Sequence, residues 1–152
     1  MMKIKLYFFG KQNEIEMREK ELLKRIGFRS KIEVIAFPQA GLDDEMKTKD
    51  KEGNVLLNKF SVQDFVVVLD EHGEEMDSLE FSKYIKLQLV EQGTVIFVIG
   101  GAYGLSDMVL NRANKKIRFG KMVWTRNLVR LMALEQIYRA LEIDGGGNFH
   151  KN

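Results

Sequence analysis

The sequence predicts a single α/β domain over residues 1–152, with a mostly parallel sheet of five to six strands and helices on both faces. Three observations predict it. Runs rich in Val, Ile and Phe alternate with longer amphipathic segments, which is the pattern of βαβ units. Two of those runs, FVVVL and VIFVI, are continuously apolar, as suits central strands covered on both faces. A chain of 152 residues, 45% hydrophobic and 30% charged, can bury one substantial core but not two.

Taken in order, Lys3–Phe9 reads as the first strand and Asn13–Ile26 as the first helix, with Gly27 at its C-cap. The second strand, Lys31–Phe37, stops at the only proline, Pro38. Asp43–Leu57 is a highly charged helix, DDEMKTKDKE in its first part, whose charges form a solvated face. The third strand, Asp64–Leu69, precedes a helix over Ser78–Gln92 with Ser78 as N-cap and Gly93 as C-cap. Thr94–Ile99 is the fourth strand, and Ser106 caps a helix running to Asn114. A short fifth strand near Lys121–Trp124 leads into the last helix, Asn127–Ile143. The apolar stripe of that helix, Leu128, Val129, Leu131, Met132, Leu134, Ile137, Tyr138 and Leu141, is too wide for cover on one side only. A second copy of the chain is the expected cover, a buried position within the monomer the alternative.

The absence of cysteine removes disulfides, thiolate nucleophiles and Cys-type zinc sites, and only His72 and His150 offer imidazole, so no metal site is expected. The amino-terminal MMKIKLYFF alternates lysines with apolar residues and has no small-residue cleavage site after it, which points to a cytoplasmic protein without a membrane span. A net charge of +2 permits an RNA partner without announcing one.

Chemistry concentrates in three places. VIFVIGGAYGLS runs a buried strand into Gly100-Gly101, a short loop with Gly104, and a helix. In open α/β sheets ligands bind at the carboxyl ends of strands, where glycines let a backbone approach them closely. The spacing matches neither the dinucleotide nor the Walker fingerprint. Asp70-Glu71-His72, after the other central strand, emerges beside that loop and reads as a solvated turn. Finally, FGKMVWTRNLVR interleaves apolar residues with Lys121, Arg126 and Arg130, and the two arginines sit one helical turn apart, suited to phosphates or a carboxylate. The tail offers Phe149, His150 and Lys151, able to stack on RNA bases and contact phosphates.

VIGGAYGL, FGKM, LVR, EQIYRA and the terminal NFHK, in this order and spacing, resemble the RlmH family of SPOUT-class ribosomal RNA methyltransferases, and the resemblance covers the whole chain. It implies a C-terminal trefoil knot, a rare departure from the rule that chains do not knot. It further implies a homodimer, S-adenosylmethionine (S-adenosyl-L-methionine) as cofactor, and N3 of a pseudouridine in 23S rRNA of the large subunit, within the ribosome, as the methylated atom. The family's cofactor contacts fall on Leu69, Gly100, Phe119, Gly120, Lys121, Met122, Val123 and Trp124. Arg130, Arg139 and His150, with Lys151, become candidates for substrate positioning.

The chain departs from that family in one segment. Where Pro-His usually precedes Leu-Val-Arg, it has Thr125-Arg126 and then Asn127, exchanging a rigid turn and a proton carrier for a permanent charge. Trp124 is bulkier than the usual aliphatic residue or Phe. Two other readings follow: an RNA- or ribosome-binding protein that keeps the fold with weakened catalysis, and a nucleotide-binding module without RNA.

Overall fold

The computed structural model describes residues 2–143. The elements run β1 (Lys3–Phe9), a single 3₁₀ turn at Gln12–Glu14, α1 (Met17–Gly27), β2 (Lys31–Phe37), α2 (Glu45–Lys59), β3 (Phe65–Glu75) and α3 (Ser78–Gln92). They continue with β4 (Thr94–Ile99), α4 (Asp107–Arg112), β5 (Lys115–Arg118) and α5 (Arg126–Ile143). The five strands form one sheet in the order β2-β1-β4-β3-β5, and every pairing is parallel.

Strand alternation sorts the core into two layers. Ile4, Leu6, Phe8, Val67, Val95 and Phe97 face α1, α3 and α5, which contribute Leu22, Ile26, Phe81, Ile85, Leu134 and Ile137. On the other face Tyr7, Phe9, Val66, Val68, Ile96 and Val98 meet Leu56 of α2 and Val109 of α4. FVVVL and VIFVI are thus apolar throughout because both of their faces are covered. Each such side chain stabilises the fold by roughly 1.5–3 kcal/mol on burial, against the entropy of ordering it.

Several expectations need correction. The fifth strand is Lys115–Arg118, not Lys121–Trp124. Its sequence, KKIR, has one apolar residue, which is the composition of a short charged edge strand, whereas Met122 and Val123 are exposed in a loop. Helix α1 starts at Met17 because the 3₁₀ turn at Gln12–Glu14 and the extended, buried Ile15 intervene. Phe28, not Gly27, caps its carboxyl end. Asp77 rather than Ser78 caps α3, its carboxylate accepting the Glu80 N–H at 2.7 Å. Ser106 and Gly93 cap their helices as expected, Gly93 at φ +82°.

The chain covers the stripe on α5 in part: Leu134, Ile137 and Tyr138 are buried in the layer shared with α1 and α3, Val129, Leu131, Met132 and Leu141 are half-buried, and Leu128 is 44% exposed. Polar links fix the helix in place. Ser82 donates to the Ala140 carbonyl at 3.0 Å and Ser78 to Gln136 Oε1 at 2.8 Å. Arg130 and Glu19, both almost fully buried, join α5 to α1. No helix among the described residues is long and apolar enough to cross a membrane.

Candidate functional site

Strands β3 and β4 pair as far as Leu69 and Ile99, where β4 stops and β3 bulges out of the ladder, and these two side chains make an apolar floor. The chain after Ile99 turns tightly, since the Gly104 N–H returns to the Gly101 carbonyl at 3.1 Å. Gly104 lies at φ +83°, where a side chain would be strained. Gly100 and Gly101 have a different reason to be glycine. A Cβ on Gly100 would stand 2.8 Å from the Gly104 carbonyl carbon, and one on Gly101 would stand 2.4 Å from Glu52 Oε1. Both are required by the protein's own packing, a constraint distinct from the ligand approach expected from the sequence.

On the neighbouring strand, Leu69 and Glu74 both oppose Ile117 of β5, so Asp70–Gly73 bulges out of the ladder. Asp70 Oδ2 accepts the His72 backbone N–H at 3.1 Å, which fixes the bulge, and the Asp70 side chain is only 13% exposed. Glu71 and His72 project much further, with side chains 58% and 82% exposed. The segment read as a solvated turn is therefore part of β3, with its first carboxylate largely covered. A Cβ at Gly73 would meet the Ile117 backbone at 2.6 Å, so the bulge closes tightly on β5.

The third wall is the chain between β5 and α5. From Arg118 at the sheet edge it crosses the ends of β3 and β4 and reaches β1, where Arg126 Nη1 donates to the Phe9 carbonyl at 3.1 Å. Gly120 takes φ +92° and Trp124 Nε1 donates to the Phe119 carbonyl at 3.0 Å, folding the crossing segment onto itself. Thr125 Oγ1 accepts the Leu128 N–H at 3.4 Å and the Thr125 carbonyl accepts the Val129 N–H at 3.0 Å, so threonine supplies an N-cap for α5. Thr125 thus starts the helix and Arg126 fastens this wall to β1.

These walls border an open cavity of about 590 Å³. Leu69, Gly100, Phe119, Gly120, Met122, Val123 and Trp124 all line it; Lys121 does not. Asp70, Glu71, His72, Arg126 and Tyr103 of the glycine loop also line it, as do Glu45, Lys49, Asp107 and Arg118, which no sequence motif singled out. Charges of both signs therefore surround an apolar floor. Ile117, Arg118, Phe119 and Gly120 line both this cavity and a second one of about 470 Å³; Arg118 pairs with Glu75 at 3.2 Å, while its Nε is buried without a hydrogen-bond partner.

The substrate-positioning candidates are not brought together. Arg130 is 1% exposed and points at α1: Nε lies 2.5 Å from Glu19 Oε1, Nη2 3.1 Å from Glu19 Oε2 and 3.2 Å from the Glu14 carbonyl, and Nη1 3.1 Å from Asn127 Oδ1. The guanidinium also covers the Phe8 ring at 4.6 Å. One turn before it, Arg126 lines the cavity and bonds to the Phe9 carbonyl, so the two guanidinium groups go to different partners. Arg139 pairs with Glu135 at 3.2 Å and is absent from the cavity wall. His150 and Lys151 lie outside the described residues. Among the described residues no group of three His, Asp or Glu side chains is arranged to hold a metal ion.

A family model described as "Predicted SPOUT methyltransferase" matches residues 2–150 of the chain. A protein of Enterococcus faecalis named "Ribosomal RNA large subunit methyltransferase H" is 38% identical, over 99% of this chain and 100% of its own length. A Clostridium botulinum protein of the same name is 39% identical over the same shares, and one from Bacteroides thetaiotaomicron is 46% identical over 67% of this chain and 66% of its own. A parallel sheet with helices on both faces, a cavity at the carboxyl ends of its central strands, and matches running almost from end to end converge on one conclusion: this chain belongs to the SPOUT methyltransferase family.

Proposed function

We propose that this protein uses S-adenosylmethionine to methylate N3 of a pseudouridine in 23S rRNA of the large ribosomal subunit. The observation that carries the reading is the cavity at the ends of β3 and β4, whose lining includes all of the family's cofactor positions except Lys121. Its fit to the cofactor is physical as well as positional. A volume of about 590 Å³ suits a nucleoside with a short side arm, the floor at Leu69 and Ile99 is apolar, and backbone groups at Gly100 and Phe119–Val123 can meet the edge of an adenine. The names of the relatives support ribosomal RNA as substrate.

When bound, the cofactor supplies an electrophilic methyl group. The protein's part is alignment and exclusion of water, because methyl transfer from a sulfonium is an in-line displacement needing no covalent intermediate on the enzyme. The segment Phe119–Trp124 covers one side of the cavity, and the Gly100–Gly104 turn covers another. A pseudouridine N3 attacks only after losing its proton, and a fixed positive charge lowers the cost of that anion. Arg130 is committed to Glu19, so Arg126, on the cavity wall, takes the electrostatic part of this task. Substrate positioning by His150 remains part of the proposal, as do the trefoil knot, a homodimer and a cytoplasmic location. The crossing of Phe119–Thr125 over the strand ends supports the knot. Met122 and Val123, 74% and 78% exposed at the cavity mouth, offer apolar surface for a second copy.

A fold that had lost turnover through the change at Thr125-Arg126 would bind RNA without modifying it. The N-cap by Thr125 and the tether by Arg126 argue against this, since the wall is held by the very residues that differ. The test is incubation of purified protein with isotopically labelled S-adenosylmethionine and ribosomes, followed by mass spectrometry of the 23S rRNA. Label on a pseudouridine supports the proposal, binding without transfer supports the non-catalytic reading, and preference for adenine nucleotides over S-adenosylmethionine supports a nucleotide-binding module.

A further inference from the structure

Among the acidic residues on the cavity wall, Asp70 differs in kind. Glu45 and Asp107 are exposed, and the Glu71 side chain is 58% exposed, whereas that of Asp70 is 13% exposed. It directly follows Leu69, the apolar floor, and stands on the bulge where β3 leaves the ladder. One carboxylate oxygen, Oδ2, is occupied by the His72 N–H at 3.1 Å, with the His72 ring Nδ1 at 3.6 Å. Among the described residues no hydrogen bond to Oδ1 is seen, and the side chain lines the cavity. The bond from the His72 N–H ties one oxygen to the bulge and leaves the other available to a ligand.

A carboxylate accepts hydrogen bonds and donates none, so this position suits a ligand that presents hydroxyl donors and repels one that presents phosphate. A ribose has two neighbouring hydroxyls, and an acid at the end of a central strand is a recognised way to read them in other doubly wound sheets. We infer that Asp70 is a specificity-determining residue that accepts hydrogen bonds from the ribose hydroxyls of the nucleoside cofactor. The inference rests on the cofactor reading proposed above. It adds that the pocket selects a ribonucleoside without a 5′-phosphate, and that selection comes from a side chain, whereas adenine is met by backbone groups. Glu71 and His72 do not share the task, since their side chains project towards solvent.

The test measures binding by calorimetry, not turnover, with S-adenosylhomocysteine and its 2′,3′-dideoxy analogue as probes. Wild-type protein should bind the ribose form about ten- to a hundredfold more tightly, the range of a charge-assisted hydrogen bond. Asp70→Asn keeps an acceptor for the His72 N–H, and so the bulge, while removing the charge. It should weaken the ribose form by about that factor and leave the dideoxy form within about twofold of wild type. Equal loss for both probes would mean that Asp70 acts only through the bulge, and absence of discrimination by wild-type protein would mean that the hydroxyls are not read; either result overturns the inference. A loss for S-adenosylmethionine with none for S-adenosylhomocysteine would assign the carboxylate to the sulfonium charge and also overturn it. If wild-type protein binds none of these nucleosides, the cofactor reading itself falls, an outcome distinct from the other three.

Discussion

Arg126 Nη1 donates to the Phe9 carbonyl at 3.1 Å and so fastens the first turn of α5 to the end of β1. Arg126 therefore holds the cavity wall mechanically as well as carrying charge. Arg126→Ala should lower stability by about 1 kcal/mol, through loss of this bond. It should also weaken S-adenosylmethionine binding several-fold because the crossing segment loosens. Denaturant unfolding and calorimetry check the two parts. Unchanged affinity would show that the tether does not hold the wall.

A larger effect is expected at the buried pair. Glu19 and Arg130 are 3% and 1% exposed, so Glu19→Ala leaves a guanidinium buried without its counter-charge and should cost about 3–5 kcal/mol. Combining Glu19→Leu with Arg130→Met should recover much of that loss, since an apolar pair of similar size has no desolvation penalty. Additive losses in urea unfolding would contradict the coupling. The comparison also separates the structural role of Arg130 from any role in catalysis.

At the α3 cap, the Glu80 N–H bonded to Asp77 is the largest cause holding that carboxyl below its ordinary value of 3.8, with the Leu79 N–H and the Lys83 charge adding to it. A lowered folded-state value means that the cap stabilises fully above the unfolded value and is lost as pH falls through the folded one. Stability should therefore decline below about pH 4, and Asp77→Asn should make that decline shallower. Urea midpoints across the acid range decide it, and parallel curves for the two proteins would refute it.

Gly100 is a poor place to block the cavity, because even alanine there meets the Gly104 backbone. Gly100→Ala should cost about 1–3 kcal/mol in thermal or denaturant unfolding, the range of overpacking. At Gly120 nothing lies within 4 Å of where a Cβ would stand, so its alanine variant suffers only from the positive φ, at a cost of about 1–2 kcal/mol. The two causes separate with asparagine, which tolerates a positive φ but is larger than alanine. Gly120→Asn should therefore be milder than Gly120→Ala, whereas Gly100→Asn should be worse than Gly100→Ala. Equal behaviour of alanine and asparagine at position 120 would count against the backbone explanation.

Trp124 is the only tryptophan in the chain and lies on the cavity wall, which gives binding an intrinsic optical signal. Titration with S-adenosylhomocysteine should change its emission, and Trp124→Phe should remove the signal together with the bond to the Phe119 carbonyl. Heat evolved on binding without any change in emission would place the ligand away from this wall.

The central strands and two of the helix caps were legible because their reasons are local: continuous apolar runs for β3 and β4, cap residues at Ser106 and Gly93. β5 was not, since KKIR owes its strand to pairing with Val67–Leu69, a distant partner. The same distance hid Arg118 as a wall residue and made Arg130 look free, because its partner Glu19 is in another helix. The bulge at Asp70–Gly73 read as a turn for a related reason: polar residues signal departure from a ladder but not the return at Glu74. The cavity positions were found through the family's motifs, and the fold brings all but Lys121 of them to one wall or another of the same space.

The crossing segment has a further consequence for how the protein comes into being. The wall from Phe119 to Trp124 and the anchor at Arg126 follow all five described strands, yet the anchor bonds to β1, the first. A chain released only as far as β5 holds all five of these strands but lacks the segment that walls the cavity. Ligand affinity therefore comes after sheet pairing, with the residues from Phe119 to Arg126.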